Sequence, residues 1–229
     1  FKVIRSLAEE GRLDGPTRSL VIVGNERGAR EACQFDCIHE IGFPFSISEQ
    51  FQLRNTGASI EQALDRLSRI HEHIITHDKQ LTVYISMGFG NPYGDSWSPQ
   101  LLVDWAGKII ERYGPDVVAL SDTVGKADGP AIANSFEALI PAFDTTTFGA
   151  HLHATPWDAL EKIKAAHNAG CLRFDGALRG IGGCPMAQDE LVGNIPTEHM
   201  IEYFVDAGSW SINDPRAYAQ AQSLAADLF

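Results

Sequence analysis

No apolar run in the 229-residue chain approaches 18 residues, so no segment reads as a membrane-spanning helix. Basic residues are scarce: 18 Lys and Arg against 30 Asp and Glu leave a formal charge of −12. That field repels phosphate backbones and anionic lipid surfaces, so neither nucleic acid nor membrane is expected as a partner. The four cysteines, Cys33, Cys37, Cys171 and Cys184, follow no zinc-ribbon spacing. With no N-x-S/T acceptor and no secretory leader pattern, they point to a reducing cytoplasmic or organellar compartment. G-x-S-x-G is missing, which removes the anchor of an α/β-hydrolase serine mechanism. Neither a Walker Lys-Ser/Thr nor a G-x-G-x-x-G occurs, so nucleotide binding is weakly supported. No linker, low-complexity stretch or short repeat divides the chain, and residues 1–229 are read as one domain with a helical tail at 205–229.

What is present is an ordinary folding composition, 44% hydrophobic and 21% charged, which excludes a disordered chain. Apolar β-rich runs at 19–23, 38–45, 81–87, 116–120, 148–153 and 171–177 alternate with helical patterns, predicting a parallel sheet built from βα units. Two helices carry end signals, with proline in the first turn and glycine after the last. One opens at Ser98-Pro99 and stops at Gly114; the other opens at Thr155-Pro156-Trp157-Asp158 and stops at Gly170. Residues 60–75 form a further helix with Ile60, Leu64, Leu67 and Ile70 on its apolar face. A doubly wound sheet and a (β/α)8 barrel lacking its first two strands fit this pattern equally well.

The sharpest chemical feature is His151-Leu152-His153, because side chains two apart on a strand project from one face and both imidazoles can converge on one ion. The competing reading is a polar strand end facing water. Next comes Arg179-Gly180-Ile181-Gly182-Gly183-Cys184-Pro185, a loop of wide backbone freedom with a thiol at its tip. In Gly193-Asn194-Ile195-Pro196-Thr197-Glu198, Asn194 and Thr197 are candidate helix caps, and the Asn194 carbonyl is also a hard oxygen ligand. Asp122, within Ser121-Asp122-Thr123-Val124-Gly125, ends a strand where a base, an orienting group or an Asx turn would stand. His71, His73 and His77 lack the H-E-x-x-H arrangement and read as a solvated helix face.

Taken in order, these motifs and the run from Tyr84-Ile85-Ser86 to Gly90-Asn91-Pro92-Tyr93-Gly94 resemble the 3-hydroxy-3-methylglutaryl-CoA lyase family of metal-dependent TIM barrels. The resemblance implies an α/β (β/α)8 barrel of which strands 3 to 8 are present. It also implies that His151, His153 and Asn194 are metal ligands and Cys184 a mobile catalytic thiol, with Asp122 at a functional position on the sixth strand. The ion implied is Mg or Mn, with Zn or Co as alternatives. The reaction implied is retro-Claisen cleavage of an acyl-CoA substrate, in a homo-oligomer of the cytoplasm or, in a eukaryote, the mitochondrial matrix. A related aldolase or acyl-CoA condensing synthase, and an inactive homologue, are the alternatives. The family's first-strand Arg-Asp pair and second-strand Glu have no counterpart here, so an upstream extension is expected. Asn91 stands where lyases carry Cys, and Ala154 where Asp follows the second His.

Overall fold

The structure, a computed structural model, describes residues 1–183 and 192–228. Its elements run α1 (Lys2–Glu9), β1 (Ser19–Ile22), α2 (Glu26–Ala32), β2 (Ile38–Ser46), α3 (Glu49–Thr56), α4 (Ile60–Thr76), β3 (Gln80–Ser86), α5 (Pro99–Tyr113), β4 (Val117–Ser121) and α6 (Gly129–Leu139). There follow β5 (Thr147–His151), β6 (His153–Ala154), α7 (Ala159–Asn168), β7 (Arg173–Phe174), β8 (Gly193–Asn194), α8 (Thr197–Asp206) and α9 (Pro215–Leu228). None of the described helices is long and apolar enough to cross a membrane.

Local chemistry sets the helix ends. The Ser98 hydroxyl accepts from the Leu101 amide, Pro99 fills the first turn of α5, and Gly114 ends it at φ 51°. In α4, Ser59 and Gln62 form a reciprocal capping box, and Ala63, Leu67, Ile70 and Ile74 are its buried side. Helix α7 starts later than its sequence signals suggest. The Asp158 carboxylate accepts from both the amide and the hydroxyl of Thr155, closing a turn that holds Pro156 ahead of the helix rather than in its first turn.

Six strands form one parallel sheet in the order β1-β2-β3-β4-β5-β7. Its two faces differ sharply. Ile41, Phe43, Phe45, Val83, Ile85, Val118, Leu120, Phe148 and Ala150 are buried against helix residues such as Leu67, Ile109, Phe136 and Ile163, and this is the hydrophobic core. The alternate positions point the other way and are small or polar: Glu40 and Gly42, Thr82 and Tyr84, Ala119, Gly149 and His151, Arg173.

One contact on that polar face decides the architecture. Arg173 of β7 reaches Glu40 of β2, Nη2 to Oε1 at 2.6 Å and Nη1 to Oε2 at 3.4 Å, and the Thr82 hydroxyl donates to the same carboxylate. Three strands lie between β2 and β7. In a flat sheet they would stand four spacings of about 4.8 Å apart, roughly 19 Å, farther than an arginine and a glutamate jointly reach. The sheet is therefore curled into an arc with the ion pair across its hollow. That is the wall of a partial (β/α)8 barrel and not a doubly wound sheet.

Glu40 is almost fully buried, so removing its partner strands a charge. Arg173→Met should lower unfolding free energy by about 3 kcal/mol, near the low end for a broken buried pair because Arg173 keeps some solvent contact. Urea unfolding measures it, and the double change Glu40→Gln with Arg173→Met should recover most of the loss. A single-variant loss below about 1 kcal/mol, the level of an exposed pair, would contradict the buried cross-strand bridge.

Candidate metal centre

The expected strand at 148–153 divides at Leu152. His151 closes β5 in the large sheet, and His153 opens β6, which leaves that sheet to pair antiparallel with β8. The register places His153 opposite Asn194 and Ala154 opposite Gly193. Asn194 thus joins the histidines as a strand residue. It does not cap α8, whose N-cap is Pro196 and which has no side-chain cap at all. The two imidazole rings stand 5.4 Å apart, centroid to centroid, and tilted by 76°.

What lies behind each ring fixes its tautomer. His153 is 5% exposed, and its Nδ1 lies 3.0 Å from the Asp122 carbonyl oxygen and 3.2 Å from that of Thr123. A carbonyl only accepts, so Nδ1 carries the proton and Nε2 keeps its lone pair. His151 Nδ1 lies 3.1 Å from Asp175 Oδ2, which selects the same tautomer. The Asn194 Nδ2 donates to the Ile181 carbonyl at 2.7 Å, which leaves the amide oxygen as its candidate ligating atom. Two imidazole nitrogens and an amide oxygen, each backed by a hydrogen bond, suit a divalent ion, and backed ligands of this kind are how proteins orient them. Among the described residues no three His, Cys, Asp or Glu side chains form a metal cluster, so the set reaches three only through Asn194. His71, His73 and His77 form none either: His73 faces Glu26 at 3.6 Å and His77 lies exposed at the end of α4.

The glycine loop shows a second use of its glycines. Gly180 and Gly182 adopt φ 65° and 84°, and a Cβ on Gly182 would stand 3.1 Å from the Asn194 amide nitrogen, so the loop lies directly against β8. Cys184 lies outside the described residues. Cys171 is no substitute thiol: it is buried, and burial pushes its pKa up to about 12.

Asp122 is 2% exposed and both of its carboxylate oxygens accept hydrogen bonds. Oδ1 accepts from the Lys126 amide at 3.0 Å, and Oδ2 from the Ala127 amide at 3.1 Å and from Lys162 Nζ at 3.0 Å. Buried and accepting bonds on both oxygens, this carboxylate is poorly placed to take a substrate proton, and of the roles open to it in the sequence the geometry favours orienting over base. Sequence reasoning missed Lys162 and Asp175. The signal for Lys162 was present, since it falls among Ala159, Ile163 and Ala166 on the buried side of α7. Asn91, at the family's usual cysteine position, builds the loop after β3: its Oδ1 accepts from the Tyr93 and Asp95 amides and its Nδ2 donates to the Asp95 carbonyl.

Burial first, and the neighbouring His151 second, hold the His153 pKa below its ordinary 6.5. Its contribution to stability is therefore full above pH 6.5 and is lost as pH falls, because the unfolded chain takes up a proton that the folded ring resists. Urea unfolding at pH 7.5 and 5.5 should show a smaller acid loss in His153→Gln than in the unaltered protein. Equal losses would contradict a buried neutral imidazole.

The family model described as HMGL-like matches residues 1–223. A 3-hydroxy-3-isohexenylglutaryl-CoA/hydroxy-methylglutaryl-CoA lyase of Pseudomonas aeruginosa is 30% identical over 171 residues, 75% of this chain and 56% of that protein. The chain thus spans a little over half the length of that curated relative. A crystal structure of hydroxymethylglutaryl-CoA lyase from Pseudomonas aeruginosa superposes with a TM-score of 0.83 at 27% identity, covering 93% of this chain and 71% of the other. An HMG-CoA lyase from Acinetobacter baumannii, in complex with coenzyme A and 3-methylmalate, gives 0.79 at 25%, covering 93% and 70%. A family match over nearly every residue, on a wall curved as those barrels are, makes this chain a member of the HMGL-like family.

Proposed function

We propose that this chain carries the site of a metal-dependent carbon–carbon lyase that cleaves a 3-hydroxyacyl-CoA, foremost 3-hydroxy-3-methylglutaryl-CoA, to acetyl-CoA and acetoacetate. The observation that carries the reading is His153 standing opposite Asn194 in the β6–β8 ladder with the His151 ring 5.4 Å from its own, all three side chains backed by hydrogen bonds. The names of the relatives support the substrate class, and the coenzyme A in the Acinetobacter baumannii structure supports the thioester handle. Residues 1–229 are read as a single domain acting in a homo-oligomer. The compartment proposed is cytoplasmic, in keeping with Cys33, Cys37 and Cys171 all being free thiols.

His151, His153 and Asn194 would hold the divalent ion that the family implies, with Mg or Mn favoured and Zn or Co as alternatives. When bound, such an ion supplies Lewis acidity toward the substrate's oxygens. The chain's own residues then divide the remaining work. Asp175 and the Asp122 and Thr123 carbonyls accept from the Nδ1–H groups of the two imidazoles and so leave Nε2 as the ligating nitrogen of each. The substrate hydroxyl loses its proton, the bond between its carbon and the α-carbon of the thioester breaks, and that pair of electrons leaves on the acetyl-CoA enolate. Cys184, the residue after Gly183, returns a proton to the enolate carbon while the loop excludes water. The thiolate is reprotonated at the expense of the hydroxyl proton, so the step balances.

With Mn2+ supplied, the protein should release acetoacetate from 3-hydroxy-3-methylglutaryl-CoA. His153→Ala should abolish both Mn2+ binding, read by calorimetry, and turnover. Cys184→Ala should lower kcat by about 100-fold or more, the usual scale for a lost proton donor, with Mn2+ affinity held within about twofold. Unchanged turnover in His153→Ala, or an equal loss of kcat and affinity in Cys184→Ala, would overturn the assignment.

A further inference from the structure

Among the described residues, Lys162 is the one buried cation under the histidine strand that the chemistry above leaves without a part. Its side chain is 3% exposed, on a helix side otherwise made of Ala159, Ile163 and Ala166. A lone ammonium in such surroundings would be severely destabilising, so its partners carry the meaning. Nζ lies 2.8 Å from the His153 carbonyl oxygen, 2.9 Å from that of Gly125, 3.0 Å from Asp122 Oδ2 and 3.3 Å from Asp158 Oδ2. These acceptors belong to three separate segments: β6, the turn after β4, and the start of α7.

Two of these ties bear on His153. The Asp122 carboxylate, pinned by Lys162, gathers the Lys126 and Ala127 amides and so shapes the turn. The carbonyls of Asp122 and Thr123 in that turn are the two that hold the proton on His153 Nδ1. The Thr123 hydroxyl in turn accepts from the amide of Met87, a buried residue at φ 59° where β3 ends, so the turn is braced from a second strand. His153 is thereby gripped at its backbone by Lys162 directly and at its ring by Lys162 through Asp122. Met or Gln at 162 would fill the space and reach at most part of this set, whereas an ammonium offers three donors on a stem long enough to cross from α7.

We propose that Lys162 is a positioning residue for His153: it fixes the Nδ1–H tautomer and ring direction, and so the affinity of the centre for its cation, without touching substrate. The part concerning cation affinity rests on the reading of His153 as a ligand; the tautomer does not.

Long-range proton–nitrogen NMR of the histidine rings in the full chain, without metal, reads the tautomer directly. Calorimetry with MnCl2 reads affinity. In the unaltered protein His153 should show Nδ1–H alone. In Lys162→Met it should show a mixture of tautomers, and Mn2+ affinity should fall about 10-fold or more, the usual effect of losing a partner behind a ligand. A lysine that only stabilised the fold would lower the urea midpoint and leave the tautomer unchanged, and that result in folded Lys162→Met overturns the proposal. Should Lys162→Met fail to fold, Asp122→Asn with Lys162→Met removes both buried charges, and a pure Nδ1–H tautomer there overturns it equally. Loss of the fixed tautomer in a chain that binds no Mn2+ supports the role of Lys162 and counts against the lyase reading alone.

Discussion

The chemistry of this chain hangs on one proton, the hydrogen on Nδ1 of His153, directed at the carbonyl oxygens of Asp122 and Thr123. With that proton in place the other ring nitrogen can serve as a ligand; with the tautomer reversed, it is a donor and repels a cation. Two backbone carbonyls in a tight turn enforce this more strictly than a mobile side chain could. The turn owes its shape to the Asp122 carboxylate, which collects the Lys126 and Ala127 amides and the Lys162 ammonium at once. The direction of the ring is therefore set by groups that lie behind it.

Above that local scale stands the division between the faces of the sheet. Aliphatic and aromatic residues on the outer face bury against the helices and supply most of the driving force for folding. The inner face carries the polar groups, which have to be satisfied among themselves. Glu40, Thr82 and Arg173 do so by bridging β2 to β7; the β5–β7 register sets His151 beside Asp175, and the edge of its ring meets Tyr84 at 5.5 Å between centroids. Burial, with the Asp175 charge beside it, pushes the Tyr84 phenol up, so it stays protonated alongside the imidazole.

Much of this was legible from residues alone where local order decides it. Alternating strands and helices, the Ser98-Pro99 start, the Gly114 stop and the H-x-H pair obey short periodicities, and the structure follows them closely. The strand pattern left a flat and a curled sheet open, because the choice turns on a contact between Glu40 and Arg173, 133 residues apart; it was the ordered motifs and their family resemblance that implied the barrel. Asn194 read as a turn or cap residue for the same reason: its strand exists only through pairing with His153. Lys162 was overlooked because a charge is ordinarily assigned to solvent, although its neighbours in α7 mark the buried side. Pro156 looked like a helix starter, and only the Asp158–Thr155 turn moves the start of α7 downstream.

The central claim is that both imidazoles bind one cation through Nε2. Electron spin-echo modulation of Mn2+ bound to the full chain, with histidine nitrogens labelled with 15N, addresses it most directly. Modulation from two directly coordinated histidine nitrogens, reduced to one by His151→Gln, is the predicted result. Saturating Mn2+ with no histidine nitrogen in its coordination shell would contradict the account.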